Sequence, residues 1–366
     1  MSKLILLSLL LSFGVARADV DDGTYLDPKY TFKHPPLVNN NSANGDADGL
    51  SRNDVEGVIA LQTPIKSQER RGTCSIFSAT AILESMLIRN FGESPSIDLS
   101  EEWLEYAVMR DVGSEGSGSS RNFSYLATYG SPSEAELPYI GDTWDSINFN
   151  SLAYYRCSLQ SGFALQACLL GHRAPYLMTL NDADLQSVDS ELYYARASAL
   201  ILKTKYLASI SNQSTEYLGN VADIKKHLAN KIPVTLDIDF YYGAWNHSKA
   251  TTLGIPRNSE HWKLGIVGHP AIGSVDRQIS PGTPAGHSIV VVGYDDNVEV
   301  TIPTLMTNGT TQNLKYKGVY YFKNSWGTDN FALNFTINGH SYPGYGMITQ
   351  QYAHEFGSFF RMPLGQ

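Results

Sequence analysis

The stretch from Pro64 to Asn90, PIKSQERRGTCSIFSATAILESMLIRN, sets the strongest limit on how this chain can fold. An extended lead-in meets a tight turn at Arg71-Gly72-Thr73, and a long apolar run begins at Cys74. Ile76, Phe77, Ala79, Ala81, Ile82, Leu83, Met86, Leu87 and Ile88 are too many for a single stripe. The pattern predicts a helix buried on several sides and ending near Asn90-Phe91-Gly92. Cys74 then stands at the N-terminus of a core helix. Unpaired backbone N–H groups and the helix dipole favour an anion there, so the thiol is expected to ionise more easily than usual. A lone cysteine in the apolar interior is ordinarily an inert small hydrophobe; one at a helix start is a candidate nucleophile.

Further along the chain lie GHSIVVVGY from Gly286, KNSWGT from Lys323 and GYGMI from Gly344. With Gln68, these strings resemble papain-like cysteine peptidases (peptidase family C1) in residue type, local context and order: Gln, Cys, His, Asn. The resemblance implies an α+β, two-lobed fold, with a helical first lobe, a β-sheet or barrel second lobe, and the active-site cleft between them. It implies Cys74 as nucleophile, His287 as general acid/base and Asn324 as the group orienting the imidazole. Gln68 and the Cys74 N–H would form the oxyanion site, while Trp326 would cover the His–Asn contact and Gly286 would border the cleft. These are the parts that amide cleavage by a thiol needs. Gly116, Ser117 and Gly118 align roughly with the family's glycine-rich, cleft-lining segment, and read equally well as a plain flexible loop.

Two departures stand out. The family commonly has Cys-Gly-Ser-Cys-Trp at the nucleophile, where this chain has Arg71-Gly72-Thr73-Cys74-Ser75. A disulfide made by that first cysteine in many relatives is therefore absent here. The separations 287 − 74 = 213 and 324 − 74 = 250 also exceed the roughly 130–150 residues usual in the family. Most of the excess falls in a helical insertion at 142–215, which either shapes substrate access or decorates the first lobe. Within it, Asp182 to Ile210 is helix-compatible with Asp182 or Asp184 as cap. Asn220 to Asn230 reads as a short helix, Ile232 to Ile238 as a strand, and Asn308-Gly309 as a hairpin turn.

Residues 1–18 read as a signal peptide: Lys3, an apolar run from Leu4 to Val15, then Ala16-Arg17-Ala18. That run is shorter than the roughly 20 residues a membrane span needs. Residues 19–54 form a polar, extended arm, too short for a folded inhibitory prosegment. The catalytic domain then covers 55–366. Export, with a secreted, periplasmic or lysosome-like destination, makes an oxidising environment the expectation. Three cysteines less the nucleophile leave Cys157 and Cys168 as a disulfide pair or as two buried thiols. A continuous helix would hold them about 16 Å apart, so a bridge requires reversal near Ser161-Gly162.

A net charge of −9 argues against nucleic acid as partner. His172, His261 and His340 show no metal-ligand spacing, so no cofactor or metal is expected. The composite expectation is a monomeric exported thiol peptidase acting on peptide or protein substrates. A glutamine-amide hydrolase or acyltransferase on the same fold, and a non-catalytic papain-like binding protein, are the alternatives.

Overall fold

The structure is a computed structural model that describes Leu37 and residues 50–365, apart from Ser114, Asn148 and Phe149. The expected signal peptide and nearly all of the polar arm lie outside the described residues.

Helices dominate the first half. After α1 (Val55–Ile59), the long α2 (Cys74–Phe91) runs through the centre, with every residue from Cys74 to Ile88 buried. It stops where the sequence predicts, at Gly92, whose φ of 71° only glycine adopts without strain. The helix α3 (Glu101–Val112) starts at Ser100, whose hydroxyl accepts the Trp103 N–H at 3.0 Å. Next come α4 (Ser119–Tyr129), α5 (Ser151–Cys157), α6 (Gly162–Gly171), α7 (Asp182–Val188) and α8 (Ser190–Leu202). The helix-compatible stretch 182–210 is thus two helices, a π-helical turn (Lys203–Leu207) and a 3₁₀ end. Asn181, rather than Asp182 or Asp184, caps the first, and Asp189 caps the second.

The insertion has an apolar cluster of its own, where Trp144, Cys157, Cys168, Leu177, Leu185 and Leu192 pack against Trp103 and Tyr106 of α3. Cys157 and Cys168 are bridged, with their Cα atoms 5.7 Å apart. The chain reverses between α5 and α6 at the expected place, where Gly162 has φ 54°. Removing the bridge with Cys157→Ser/Cys168→Ser should lower unfolding free energy by about 2–4 kcal/mol. Urea titration measures this, and an unchanged midpoint would show that the bridge carries no stability.

The second half is a seven-stranded sheet. Its strands are β1 (Glu216–Leu218), β2 (Val234–Asp239), β3 (Ile266–Val267), β4 (Gly286–Leu305), β5 (Thr311–Lys323), β8 (Tyr345–Thr349) and β9 (Gly357–Arg361), and β6 (Thr336–Ile337) pairs with β7 (His340–Ser341) separately. The order is β1-β9-β2-β4-β5-β8-β3, antiparallel except where β3 runs parallel to β8. Connecting helices are α9 (Val221–Ala229, capped by Asn220), α10 (Ser248–Thr252), α11 (Ser259–Lys263), α12 (Val275–Ile279) and α13 (Gln350–Phe356). The valine run of β4 is buried against α2, and the hydroxyls of Ser78 and Ser288 meet at 2.7 Å across that contact. Beyond Tyr294 the β4–β5 pair extends far past its expected ends, to a turn containing Asn308-Gly309. This α+β arrangement, helices first and sheet second, is the architecture expected from the sequence.

Candidate active site

Cys74 opens α2, and His287 lies on β4, paired with Ile238 of β2. Asn324 follows directly on β5. The helix and the sheet core thus bring together residues far apart in sequence. His287 Nε2 lies 2.8 Å from Asn324 Oδ1, so the ring nitrogen donates and the amide oxygen accepts. The same oxygen accepts the Ser325 N–H at 2.9 Å, which fixes the amide orientation. His287 Nδ1 is buried without a hydrogen-bond partner. Trp326 stacks on the imidazole with ring centres 4.6 Å apart and planes 26° apart.

An aromatic box completes the surroundings of His287. Trp245 meets its ring edge-on at 5.1 Å, and Phe240 at 6.2 Å. Sequence reasoning missed both, since isolated aromatics ahead of a histidine carry no spacing signal.

Cys74 is the free cysteine among the described residues and is only 5% exposed. Its expected easy ionisation is overturned. Burial and the nearby Asp237 charge push the thiol up to about 12, against the N–H groups of Ser288, Ser75 and Cys74, which bond to it and lower it. The helix-start donors are therefore present, and desolvation outweighs them. Burial also pushes His287 down to about 4, although its bond to Asn324 works the other way. Burial thus disfavours the charged form of each group.

Gln68 is fully buried. Its Oε1 accepts the Ser325 hydroxyl at 2.6 Å, and its Nε2 donates to the Arg71 carbonyl at 2.7 Å. Its backbone N–H donates to the Ser325 carbonyl at 2.8 Å, so Gln68 is tied to the loop after Asn324 from both ends. Gly286 is buried at the start of β4, opposite Asp239.

Gly116, Ser117 and Gly118 are all buried. Ser117 Oγ bonds with Ser75 Oγ at 2.9 Å and Asn122 Oδ1 at 2.7 Å, while Gly118 caps α4. The segment is thus packed against α2 and α4. Behind it, Asp237 accepts the Ser119 N–H at 2.8 Å and the Ser119 and Ser288 hydroxyls at 2.7 Å each. An aspartate inside a strand gave no sign of this role in the sequence.

Where the family's first cysteine would stand, the Arg71 side chain is fully buried and forms ion pairs with Glu105 and Glu115. Glu115 Oε2 also accepts the Gly72 N–H at 3.0 Å. An ionic cross-link thus ties the turn before the nucleophile to the glycine-rich segment. Among the described residues no group of His, Cys, Asp and Glu could hold a metal ion, and no helix is long and apolar enough to cross a membrane.

Set beside known proteins, parts of the chain are similar to cysteine peptidases. Residues 178–332 match the model of the Peptidase_C39 like family, a span that holds His287 and Asn324 and begins after Cys74. Cysteine proteinase 2 of Entamoeba histolytica is 34% identical over 96 residues, covering 25% of this chain and 30% of the relative. Cysteine proteinase 1 of the same organism is 35% identical over 82 residues, 22% of this chain and 26% of the relative. The matches thus span under a third of those relatives' lengths. Among solved structures, xylellain, a cysteine protease from Xylella fastidiosa, aligns over 86% of this chain and 85% of its own at 16% identity, with TM-score 0.49. The bromelain protease of Ananas comosus, in complex with the E64 inhibitor, aligns over 86% and 98% at 16% identity, with TM-score 0.43.

Proposed function

We propose that this chain is an exported papain-like thiol peptidase that cleaves peptide bonds through a Cys74 acyl-thioenzyme. The single observation that carries the reading is the His287–Asn324 bond beneath Trp326, with the outer imidazole nitrogen left unpartnered in the buried site that also holds the Cys74 thiol. A binding protein would need none of this arrangement.

In this mechanism His287 Nδ1 takes the thiol proton as sulfur attacks the substrate carbonyl. Asn324 keeps Nε2 protonated and the ring in plane, and so stabilises the imidazolium as it forms. The carbonyl oxygen gains charge and is met by the Cys74 N–H and the Gln68 carboxamide. The imidazolium returns its proton to the leaving amine, and water, activated by the same ring, hydrolyses the thioester. Trp245, Phe240 and Trp326 keep water from the His–Asn contact. The Gly116–Gly118 segment and Gly286 line the substrate path in this reading. The C39-like family model matches from the helical segment at 178 to residue 332 in the sheet, and the reading as family C1 rests on the four proposed catalytic positions.

The test is mass spectrometry of a denatured protein mixture incubated with the purified chain and with its Cys74→Ala variant. New peptide termini that depend on Cys74 are the expected result. A one-dalton gain at glutamines without cleavage would instead identify a deamidase. No Cys74-dependent change would overturn the enzyme reading.

A further inference from the structure

The Arg71 guanidinium is fully buried, yet every contact it makes leads away from the turn that carries it. Besides the ion pairs with Glu105 of α3 and Glu115, Nη2 donates to the Leu170 carbonyl at 2.8 Å and Nη1 to the Ile140 carbonyl at 3.3 Å. Nη1 also lies 3.0 Å from His172 Nε2. His172 Nε2 also lies 3.1 Å from the Asp142 carbonyl, and Nδ1 lies 3.0 Å from Glu102. Leu170 and His172 come from the end of α6, in the insertion, and the Cys157–Cys168 bridge ties α6 to α5.

His172 holds a left-handed backbone with φ 55°, which a non-glycine residue adopts at a cost. Its ring is fixed from both sides, by Glu102 and by Arg71, which is how such a conformation persists. The segment thus meets the guanidinium at both Leu170 and His172.

The other end of Arg71 reaches the chemistry. Its backbone carbonyl accepts Gln68 Nε2 at 2.7 Å, and its N–H donates to the Gln68 carbonyl at 3.2 Å. The carboxamide that would meet the oxyanion is thus aimed by Ser325 on its oxygen and by Arg71 on its nitrogen. If Arg71 shifts, Gln68 Nε2 loses the carbonyl that holds it.

We propose that Arg71 is a positioning residue for the oxyanion site, and that the inserted segment, through Leu170 and His172, holds it there. This rests on the peptidase reading above. The insertion is then a structural part of the catalytic machinery that acts through Arg71 on Gln68 and never touches substrate.

Removing Arg71 alone strands two carboxylates and risks unfolding, so the test uses Arg71→Met together with Glu105→Gln. Four forms of the full chain are compared on a peptide amide substrate: wild type, this variant, Gln68→Ala, and the two combined. The variant should lose about 10- to 100-fold in kcat while KM stays within about threefold. Iodoacetamide alkylation of Cys74 requires the thiolate but no oxyanion site. It should stay within about threefold of wild type, which a general collapse of the site would not allow. Added to Gln68→Ala, the Arg71 change should cost little more, because both act through one group. Unchanged kcat, a parallel fall in alkylation, or fully additive losses would each overturn the proposal while Cys74-dependent turnover upholds the peptidase reading. Absence of Cys74-dependent turnover in the wild type would overturn both.

Discussion

Cys74→Ala and His287→Ala each lower kcat by about 10⁵- to 10⁶-fold on a peptide substrate, and the double variant is hardly worse than either. The two groups form one proton-transfer unit, so losing either disables the other. Asn324→Ala is milder, at about 10- to 1,000-fold, because the imidazole survives and loses only its orienting partner. The pH profile follows from the same site. His287 is held near 4 and Cys74 near 12, both by burial, so the neutral pair persists between those values. Below about 4 the imidazole is already protonated and cannot accept the thiol proton, so kcat/KM falls as pH falls through that value. Above it, activity forms a plateau across neutral pH, since the pair binds the same number of protons whichever member holds them. An acid limb near the unperturbed imidazole value of about 6.5 would mean that water reaches His287, contrary to its complete burial. Equal losses for Asn324→Ala and His287→Ala would show that Asn324 does more than orient.

The parts of this site that were legible in the sequence are those in which a residue's neighbours in the chain are also its neighbours in space. Cys74 at a helix start, the short helix from Asn220, the buried valines after His287 and the Asn308-Gly309 turn all follow from local pattern. What the sequence concealed is carried by long-range burial. Arg71 reads as a surface charge in a polar turn, and only the packing of the insertion makes it a fully buried hub. The thiol's acidity was misjudged for the same reason. Helix position is visible in sequence, whereas the desolvation that overrides it depends on β4 and β2 closing over Cys74. The two-helix form of 182–202 turns on Asp189. Its side chain caps the second helix and also pairs with Arg173, a tie that no periodicity reveals.

The same contrast governs the other large effect, at Glu84. This residue lies on the helix that Cys74 opens and is completely buried, in a position that reads as one more turn of an amphipathic helix. Its Oε1 accepts Lys66 Nζ at 3.0 Å and the Leu99 N–H at 2.8 Å, and its Oε2 accepts the Thr63 hydroxyl at 2.5 Å. That hydroxyl oxygen and the Thr63 carbonyl in turn accept Lys323 Nζ at 3.0 and 2.8 Å. Lys323 directly precedes Asn324, so the chain Glu84–Thr63–Lys323 braces the nucleophile's helix against the strand that delivers the orienting amide. Burial pushes Lys323 down to about 8, and the Glu84 charge is the largest influence opposing that. Glu84→Leu therefore leaves two cations without their shared carboxylate, although Lys66 keeps Asp98 and Glu101. Breaking a buried pair from one side costs about 3–5 kcal/mol, and urea unfolding at pH 7 should show that loss. Adding Lys323→Met removes the stranded ammonium in the interior, so the double variant should recover at least half of the deficit. A Glu84→Leu protein as stable as wild type would mean that the carboxylate does not hold these cations. A double variant weaker than the single one would mean that Lys323 stabilises the strand through Thr63 alone.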